Sequence, residues 1–304
     1  MMKAFIHEML IRISLLLGSW PIRFFAWWIA TGYFLFRSSR RRSSIRLYQV
    51  IFPNKRLWYY LYCTWRQFQS YAATFAERIE IDRKKGAFTS VRGKEGVVEA
   101  ARRGSGGIIL MSHLGSFEIA AHAFQELGFK LLLIMGEKEA KQVARDQREA
   151  MKARGIHIQV VTAGEDFLFG GVEAIKFVRE GGFVSVTGDL VWTEQRSRLS
   201  VSLFDHEVGL PAGPHFLALV SRAPLFIMFT FRDDKGRYLI TAFPPREVKA
   251  ASRSERSAAL QASAQAYANA LEEMVRQHPF QWYIFEPFFR SARRDKRESN
   301  HQEG

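Results

Sequence analysis

The chain has 304 residues and 47% of them are hydrophobic, so it can bury a large core and is not a disordered chain. Its net charge of +14 and its pI of about 10.1 imply an acidic partner: nucleic acid, anionic lipid or an acidic carrier protein. The arginine-rich stretches adjoin aromatic runs rather than a base-reading motif, which argues against nucleic acid. The single cysteine, Cys63, excludes an internal disulfide and a cysteine zinc cluster.

The N-terminal region is predicted to associate with a membrane. Residues 13–36 are apolar and aromatic apart from Pro21 and Arg23, and five arginines follow between positions 37 and 46. The uninterrupted part, residues 24–36, would be about 20 Å long as a helix, against about 30 Å of hydrocarbon. Three interpretations stay open: one tilted span, an aromatic helical pair in the interface, or a buried core helix. The arginines argue against a cleaved signal peptide and predict that the following chain faces the cytoplasm.

The rest of the chain predicts an α/β fold with a mixed sheet flanked by helices. A helical region over 45–82 is divided at Pro53 and Asn54, and from about residue 90 β-rich runs alternate with amphipathic segments. The predicted strands are 108–111, 130–135, 156–161, 183–187, 225–231 and 238–243, the last two joined as a hairpin. The predicted helices are 117–127, 140–154, 171–180, 216–221 and 254–277.

Residues 106–118, Gly-Gly-Ile-Ile-Leu-Met-Ser-His-Leu-Gly-Ser-Phe-Glu, are predicted to contain the site. His113 follows a buried strand and precedes a helix, and ligands of open α/β sheets bind at the carboxyl ends of strands. Ser116 can cap that helix, which places Glu118 in the first turn, where the helix dipole favours an ionised carboxylate. We expect Glu118 to fix the tautomer of His113, so that His113 can act as a general base. On spacing alone, a surface histidine near a capping acid would be the commoner explanation.

Other motifs occur in a specific order around His113 and Glu118. They are residues 42–46 (Arg-Ser-Ser-Ile-Arg) with Phe52 and Pro53, residues 184–189 (Val-Ser-Val-Thr-Gly-Asp), Phe204 with residues 210–213 (Leu-Pro-Ala-Gly), and residues 278–283 (His-Pro-Phe-Gln-Trp-Tyr). In order and spacing they resemble those of the bacterial lipid A biosynthesis acyltransferases, the lauroyl and myristoyl transferases of the lysophospholipid acyltransferase superfamily. The resemblance extends over residues 10–289.

This resemblance implies a membrane-associated acyltransferase that needs no cofactor. The implied donor is an acyl-acyl carrier protein thioester, and the acceptor is a hydroxyl or amine of a glycolipid or another lipid. His113 and Glu118 would be catalytic, whereas Asp189 and Ser116 would lie on the substrate side. The implied organisation is a membrane anchor (1–42), an acyltransferase domain (43–289) and a charged, disordered tail (290–304). The enzyme would lie at the bacterial inner membrane with its catalytic domain in the cytoplasm.

One departure from the family pattern concerns the acceptor. Relatives often have an Arg-Pro pair after the strand that follows the catalytic helix, whereas residues 134–138 here are Ile-Met-Gly-Glu-Lys. The acceptor is therefore open between lipid A and other amphiphiles. Arg196 and Arg198 follow Asp189 and are candidates to bind an anionic acceptor group, because a guanidinium offers a phosphate two parallel hydrogen bonds.

Two alternatives to this function stay open. One is an acyl-CoA-dependent lysophospholipid acyltransferase, which would use the same site with another donor. The other is a non-catalytic basic protein of the membrane surface. A serine hydrolase is disfavoured because the sequence contains no Gly-x-Ser-x-Gly elbow. No metal site is expected, because no second His or Cys stands at ligand spacing from an acid.

Overall fold

The computed structural model describes residues 20–81, 88–116, 128–136, 156–161, 167–190, 197–233 and 236–289, together with Ala120 and Phe124. The chain forms two compact units, one made of Met1–Ala87 and Val275–Gly304 and the other of Phe88–Met274. The predicted helix over 140–154 and the predicted C-terminal tail lie outside the described residues.

The first unit is helical. It contains α1 (Trp20–Phe36), α2 (Ser38–Ile51), α3 (Leu57–Ile81) and a 3-10 turn (Pro279–Gln281). Pro21 lies in the first turn of α1, where its missing N–H removes no helical hydrogen bond. The predicted break at Pro53 and Asn54 is confirmed, and Asn54 adopts a left-handed φ of 64° in the turn. The break therefore divides two helices, the first of which begins earlier than predicted.

The C-terminal segment of the chain packs onto α3 within this unit. Gln67 donates a hydrogen bond from Nε2 to the backbone oxygen of the fully buried Trp282, at 2.5 Å. The hydroxyl of Tyr283 lies 3.0 Å from those of Ser70 and Thr74. These contacts join residues more than 200 positions apart in sequence. The final motif of the sequence is therefore part of the packing of α3.

The predicted membrane anchor is described only from Trp20 onward. The described part, α1, exposes most of its large apolar side chains to solvent, among them Trp28 and Phe36. None of the described helices has both the length and the apolar character needed to cross a bilayer. Association with a membrane stays a prediction.

The second unit is built on a seven-stranded sheet with the order β1-β9-β8-β2-β5-β3-β4, and a separate hairpin pairs β6 with β7. The strands are β1 (Phe88–Arg92), β2 (Gly107–Met111), β3 (Leu131–Gly136), β4 (Ile156–Val161), β5 (Phe183–Thr187), β6 (Arg198–Leu203), β7 (His206–Pro211), β8 (Leu225–Arg232) and β9 (Tyr238–Ala242). The strands from β8 to β4 are parallel neighbours, whereas β9 runs antiparallel to β8. The predicted α/β fold with a mixed sheet is therefore confirmed.

Both faces of the central strands are buried. Within the described residues, the helices of this unit are α4 (Glu95–Arg102), α5 (Phe167–Arg179), α6 (Gly213–Ser221) and α7 (Arg256–Gln277). Because side chains alternate along a strand, Ile109 and Met111 point to one face, where they share a core with Val97 of α4. On the other face, Tyr267 of α7 stacks on Phe229 of β8, with ring centroids 6.3 Å apart. Burial on two faces explains why these strands are continuous apolar runs.

Three elements were not predicted from the sequence: β1, α4 and the β6–β7 hairpin. The hairpin turns at Phe204 and Asp205, which have left-handed φ values of 52° and 60°. Glutamines of α7 bind the backbone along the edge of β6. Gln261 donates to the oxygen of Ser200, and Gln265 pairs with both the N–H and the oxygen of Ser202 at 2.9 Å. The hairpin is thereby attached to α7.

Candidate functional site

Parallel pairing of β2 with β5 brings His113 and Asp189 together. The register pairs each residue of β2 with a residue of β5, from Gly107 with Phe183 to Met111 with Thr187. These partners are 76 positions apart, and the same separation relates His113 to Asp189 just beyond the strand ends. Both side chains therefore lie at the carboxyl edge of the sheet, where ligands of α/β sheets bind.

Asp189 contacts His113 twice. Its Oδ2 accepts a hydrogen bond from the backbone N–H of His113 at 2.7 Å, and its Oδ1 lies 2.8 Å from the ring Nδ1. The Asp189 side chain is fully buried, whereas 17% of the His113 side chain is exposed. An ionised carboxylate can only accept, so Nδ1 has the proton and the neutral ring has its lone pair on Nε2. In this tautomer Nε2 can remove a proton from a substrate.

The described structure shows Asp189 in contact with the imidazole of His113, a contact that the sequence analysis expected of Glu118. The sequence placed Glu118 beside the imidazole and Asp189 on the substrate side, whereas the described carboxylate at Nδ1 is that of Asp189. Glu118 lies outside the described residues, and its role stays a prediction. The sequence analysis chose Glu118 because it lies only five positions from His113. Asp189 reaches the ring through the register of β2 with β5, which cannot be read from local spacing.

The capping contact predicted for Ser116 would involve residues that lie outside the described ranges. The Ser116 backbone oxygen accepts from the N–H of Ala120 at 3.4 Å, as expected of the residue that begins a helix. Its Oγ is buried and has no hydrogen-bond partner among the described residues. The preceding Gly115 has a left-handed φ of 76°, and a Cβ there would lie 1.5 Å from the oxygen of Thr230. Glycine is therefore required for this close approach to β8.

Tyr267 of α7 supports the ends of both strands that carry the site, and the sequence analysis missed it. Its hydroxyl donates to the backbone oxygen of Met111 at 2.8 Å, and the same oxygen accepts from the N–H of Gly188 at 2.9 Å. A Cβ at Gly188 would lie 3.0 Å from the Tyr267 Cζ and 2.6 Å from the Leu110 Cδ1. Burial and the charge of Asp189 raise the pKa of Tyr267 well above its usual value. The phenol therefore stays neutral and remains a donor.

A second buried histidine packs beside Tyr267. The His215 ring centroid is 6.5 Å from that of Tyr267, and its Nδ1 lies 2.8 Å from the Ser263 hydroxyl. Burial lowers the pKa of His215 to about 4, so its ring is neutral at neutral pH. Its Nε2 has no hydrogen-bond partner among the described residues. His215 therefore belongs to the packing that surrounds the site.

The two candidate acceptor-binding arginines are only half described. Arg198 is the first residue of β6, pairs with Pro211 and is exposed. Its side chain passes over Gly209, where a Cβ would approach the Arg198 Cδ to 3.2 Å. Arg196 lies outside the described residues. Across the described ranges, no group of three or more His, Cys, Asp or Glu side chains could hold a metal ion.

A histidine held by a buried carboxylate at the carboxyl edge of an α/β sheet is suited to general-base catalysis. The family model described as bacterial lipid A biosynthesis acyltransferase matches residues 9–291. The chain belongs to this family, and it is an acyltransferase. The resemblance seen in the sequence motifs is thereby confirmed. Among curated proteins no match is found.

Proposed function

We propose that this enzyme transfers a fatty acyl group from an acyl carrier protein thioester to a hydroxyl or amine of a glycolipid or another membrane lipid. The observation that supports this most is the double contact of Asp189 with His113. It puts the proton of the neutral ring on Nδ1 and leaves Nε2 as the base. A base at the carboxyl edge of the sheet can activate an acceptor that is a poor nucleophile while it is protonated.

In the proposed reaction the acceptor attacks the thioester directly. Nε2 of His113 removes the acceptor proton as the acceptor oxygen or nitrogen bonds to the carbonyl carbon. The tetrahedral intermediate collapses, the carbon–sulfur bond breaks, and the imidazolium returns its proton to the leaving thiolate. The buried Asp189 stabilises the imidazolium, because opposite charges attract strongly where water is excluded. The enzyme itself is not acylated at any step.

The donor and the membrane location are supported by charge and composition. A carrier protein is acidic, and residues 145–154 contain three arginines and a lysine within a chain of net charge +14. The exposed aromatic side chains of α1 suit the interface of the inner membrane, where a lipid acceptor would reside. Competition between acyl carrier protein and acyl-CoA donors separates this proposal from the lysophospholipid alternative.

The test is the initial rate of acyl transfer to a panel of lipid acceptors, with the purified chain in detergent. His113→Ala should lower the rate by about 10²–10⁴-fold, as expected for loss of a positioned general base. His157→Ala is the matched control, because His157 is an exposed histidine on β4. Activity of His113→Ala within threefold of the parent, with native circular dichroism, would overturn the assignment. Lipid mass spectrometry of a deletion strain would identify the acceptor.

A further inference from the structure

The start of α3 carries an exposed aromatic and basic surface that the proposed chemistry does not use. This surface, the α3 patch, consists of Lys55, Arg56, Leu57, Trp58, Tyr62 and Arg66. The exposed fractions of its apolar members are 61% for Leu57, 66% for Trp58 and 42% for Tyr62. Trp58, Tyr62 and Arg66 are four residues apart and so form one stripe along the helix. The opposite side of α3 is buried, so this stripe faces outward.

The charged side chains of residues 20–74, which include the α3 patch, are all basic. Residues 20–74 contain nine lysines and arginines and no aspartate or glutamate. The region therefore has a formal charge of +9 within a chain whose total is +14. No acid within the same stretch can neutralise these cations, so the region is complementary to a strongly anionic surface.

Basic side chains of the α3 patch lie against aromatic rings, both within the patch and beside it. Arg66 donates from Nη1 to the Tyr62 hydroxyl at 3.0 Å, and its Cζ lies 5.0 Å from the centre of the Phe280 ring. The Nζ of Lys55 lies 5.9 Å from the centre of the Tyr59 ring. Tryptophan and tyrosine prefer the lipid headgroup level, where an apolar ring and a polar tip are both satisfied. Arginine and lysine beside them can meet lipid phosphates.

The α3 patch belongs to the same unit as the exposed aromatic face of α1. Gln69 of α3 donates to the Thr31 hydroxyl of α1 at 2.9 Å, and the Trp27 and Trp65 rings pack edge to face at 6.3 Å. Along α1, Trp28 and Ile29 are 56% and 59% exposed. Large exposed apolar side chains therefore occur on both of these packed helices.

We propose that the α3 patch docks on the surface of an anionic lipid bilayer, as a membrane contact separate from the N-terminal anchor. Leu57, Trp58 and Tyr62 would insert at the headgroup level, while Lys55, Arg56 and Arg66 bind lipid phosphates. This rests on the proposed function in one respect, since the acceptor is taken to be a membrane lipid. Docking is nevertheless a binding property that is measured without any substrate.

The first experiment is flotation of the full chain with phosphatidylcholine vesicles, with and without phosphatidylglycerol. The double variant Leu57→Ser/Trp58→Ser should bind anionic vesicles at least about tenfold more weakly than the parent, because two large apolar side chains no longer insert. Val172→Ser is the matched control, since Val172 is 70% exposed on α5 in the other unit, and it should bind like the parent. Parent-like binding by the double variant overturns the proposal.

The second experiment tests the charge. Lys55→Gln/Arg56→Gln should weaken binding to anionic vesicles by about fivefold per charge at low salt, with little effect on neutral vesicles. Lys249→Gln/Arg253→Gln removes two exposed cations of the other unit and is the control. Equal losses in the two double variants, or a loss that is the same on neutral vesicles, would contradict docking by this patch.

Two further measurements separate the possible partners and the possible failures. If the patch variants bind vesicles like the parent but no longer bind acyl carrier protein, the surface belongs to the carrier and the membrane proposal is overturned. His113→Ala should bind vesicles like the parent, because the base has no part in docking. Loss of the proposed catalysis and loss of the proposed docking are therefore observed in different variants and different assays.

Discussion

Replacing Asp189 by asparagine tests how the imidazole is oriented, since the shape of the side chain is kept and its charge is removed. The backbone N–H of His113 can only donate, so it requires the amide oxygen of the new side chain as its acceptor. The amide nitrogen must then face the ring Nδ1, which becomes the acceptor. The ring proton moves to Nε2, and the ring can no longer act as a base there.

The magnitude follows from the energy of the two amide orientations. The reverse orientation restores the active tautomer but sets the amide N–H against the backbone N–H of His113, and a buried unsatisfied donor costs about 1–3 kcal/mol. The active tautomer would therefore be reduced to about one molecule in 10 to 100. Loss of the charge that stabilises the imidazolium adds to this, for a total loss of about 10²–10⁴-fold in kcat.

The assay is kcat and KM for acyl transfer, with the folded fraction of each variant measured by thermal unfolding. We expect kcat to fall while KM for both substrates stays near the parent value, because the lost interaction acts in the transition state. Asp205→Asn is the control, since Asp205 is exposed in the β6–β7 turn and asparagine tolerates its left-handed φ. A folded Asp189→Asn enzyme with more than a tenth of the parent kcat would refute this account of the tautomer.

The other predictions address the residues around this pair. Glu118→Gln should lower the rate nearly as much as loss of the histidine, and Glu118→Asp should retain more; a fully active Gln variant would remove Glu118 from the site. Tyr267→Phe should lower kcat about tenfold with KM unchanged, because one hydrogen bond at the end of β2 is lost; a change in KM alone would contradict a positioning role. Arg196→Ala or Arg198→Ala should raise KM for the acceptor more than for the donor, with partial rescue by lysine; equal changes would mean that this segment does not bind the acceptor. The folded-state pKa of His215, about 4, lies below the unfolded value near 6.5, so the unfolded chain binds the proton first as the pH falls. Stability should therefore decrease by on the order of 2 kcal/mol between pH 7 and pH 5, and denaturant titrations should show a smaller decrease for His215→Gln.

Most of the central sheet could be predicted from the sequence because its strands are buried on both faces. The runs at Gly107–Met111 and Leu131–Gly136 contain no polar side chain, and turn residues bound them. The hairpin of β6 and β7 lacks such a signal, since half of its residues are exposed and its sequence includes charged residues. Its strands depend on side chains of α7 for their hydrogen bonds, and these are distant in sequence.

The site also contains one residue that local sequence predicts and others that it does not. His113 could be found because a strand followed by a glycine-flanked turn is a local pattern. The contact with Asp189 depends on the register of β2 with β5, and the contact with Tyr267 depends on where α7 packs. Neither contact can be predicted from the residues that neighbour His113 in the sequence. Local spacing therefore indicates His113 as a candidate, whereas the residues that contact and orient it are defined by the tertiary structure.

The glutamines of α7 also cover a strand edge that is a common route to self-association. Two residues along a strand advance about 6.8 Å and four residues along a helix about 6 Å, so one helical row can match the repeat of one strand edge. Gln261 and Gln265 use this near match to occupy Ser200 and Ser202, the outward backbone positions of β6. An open edge of this kind would otherwise be a template for a strand of another molecule. The side-chain amides of α7 thus take the place of a third strand that another copy of the chain could add to this two-stranded sheet.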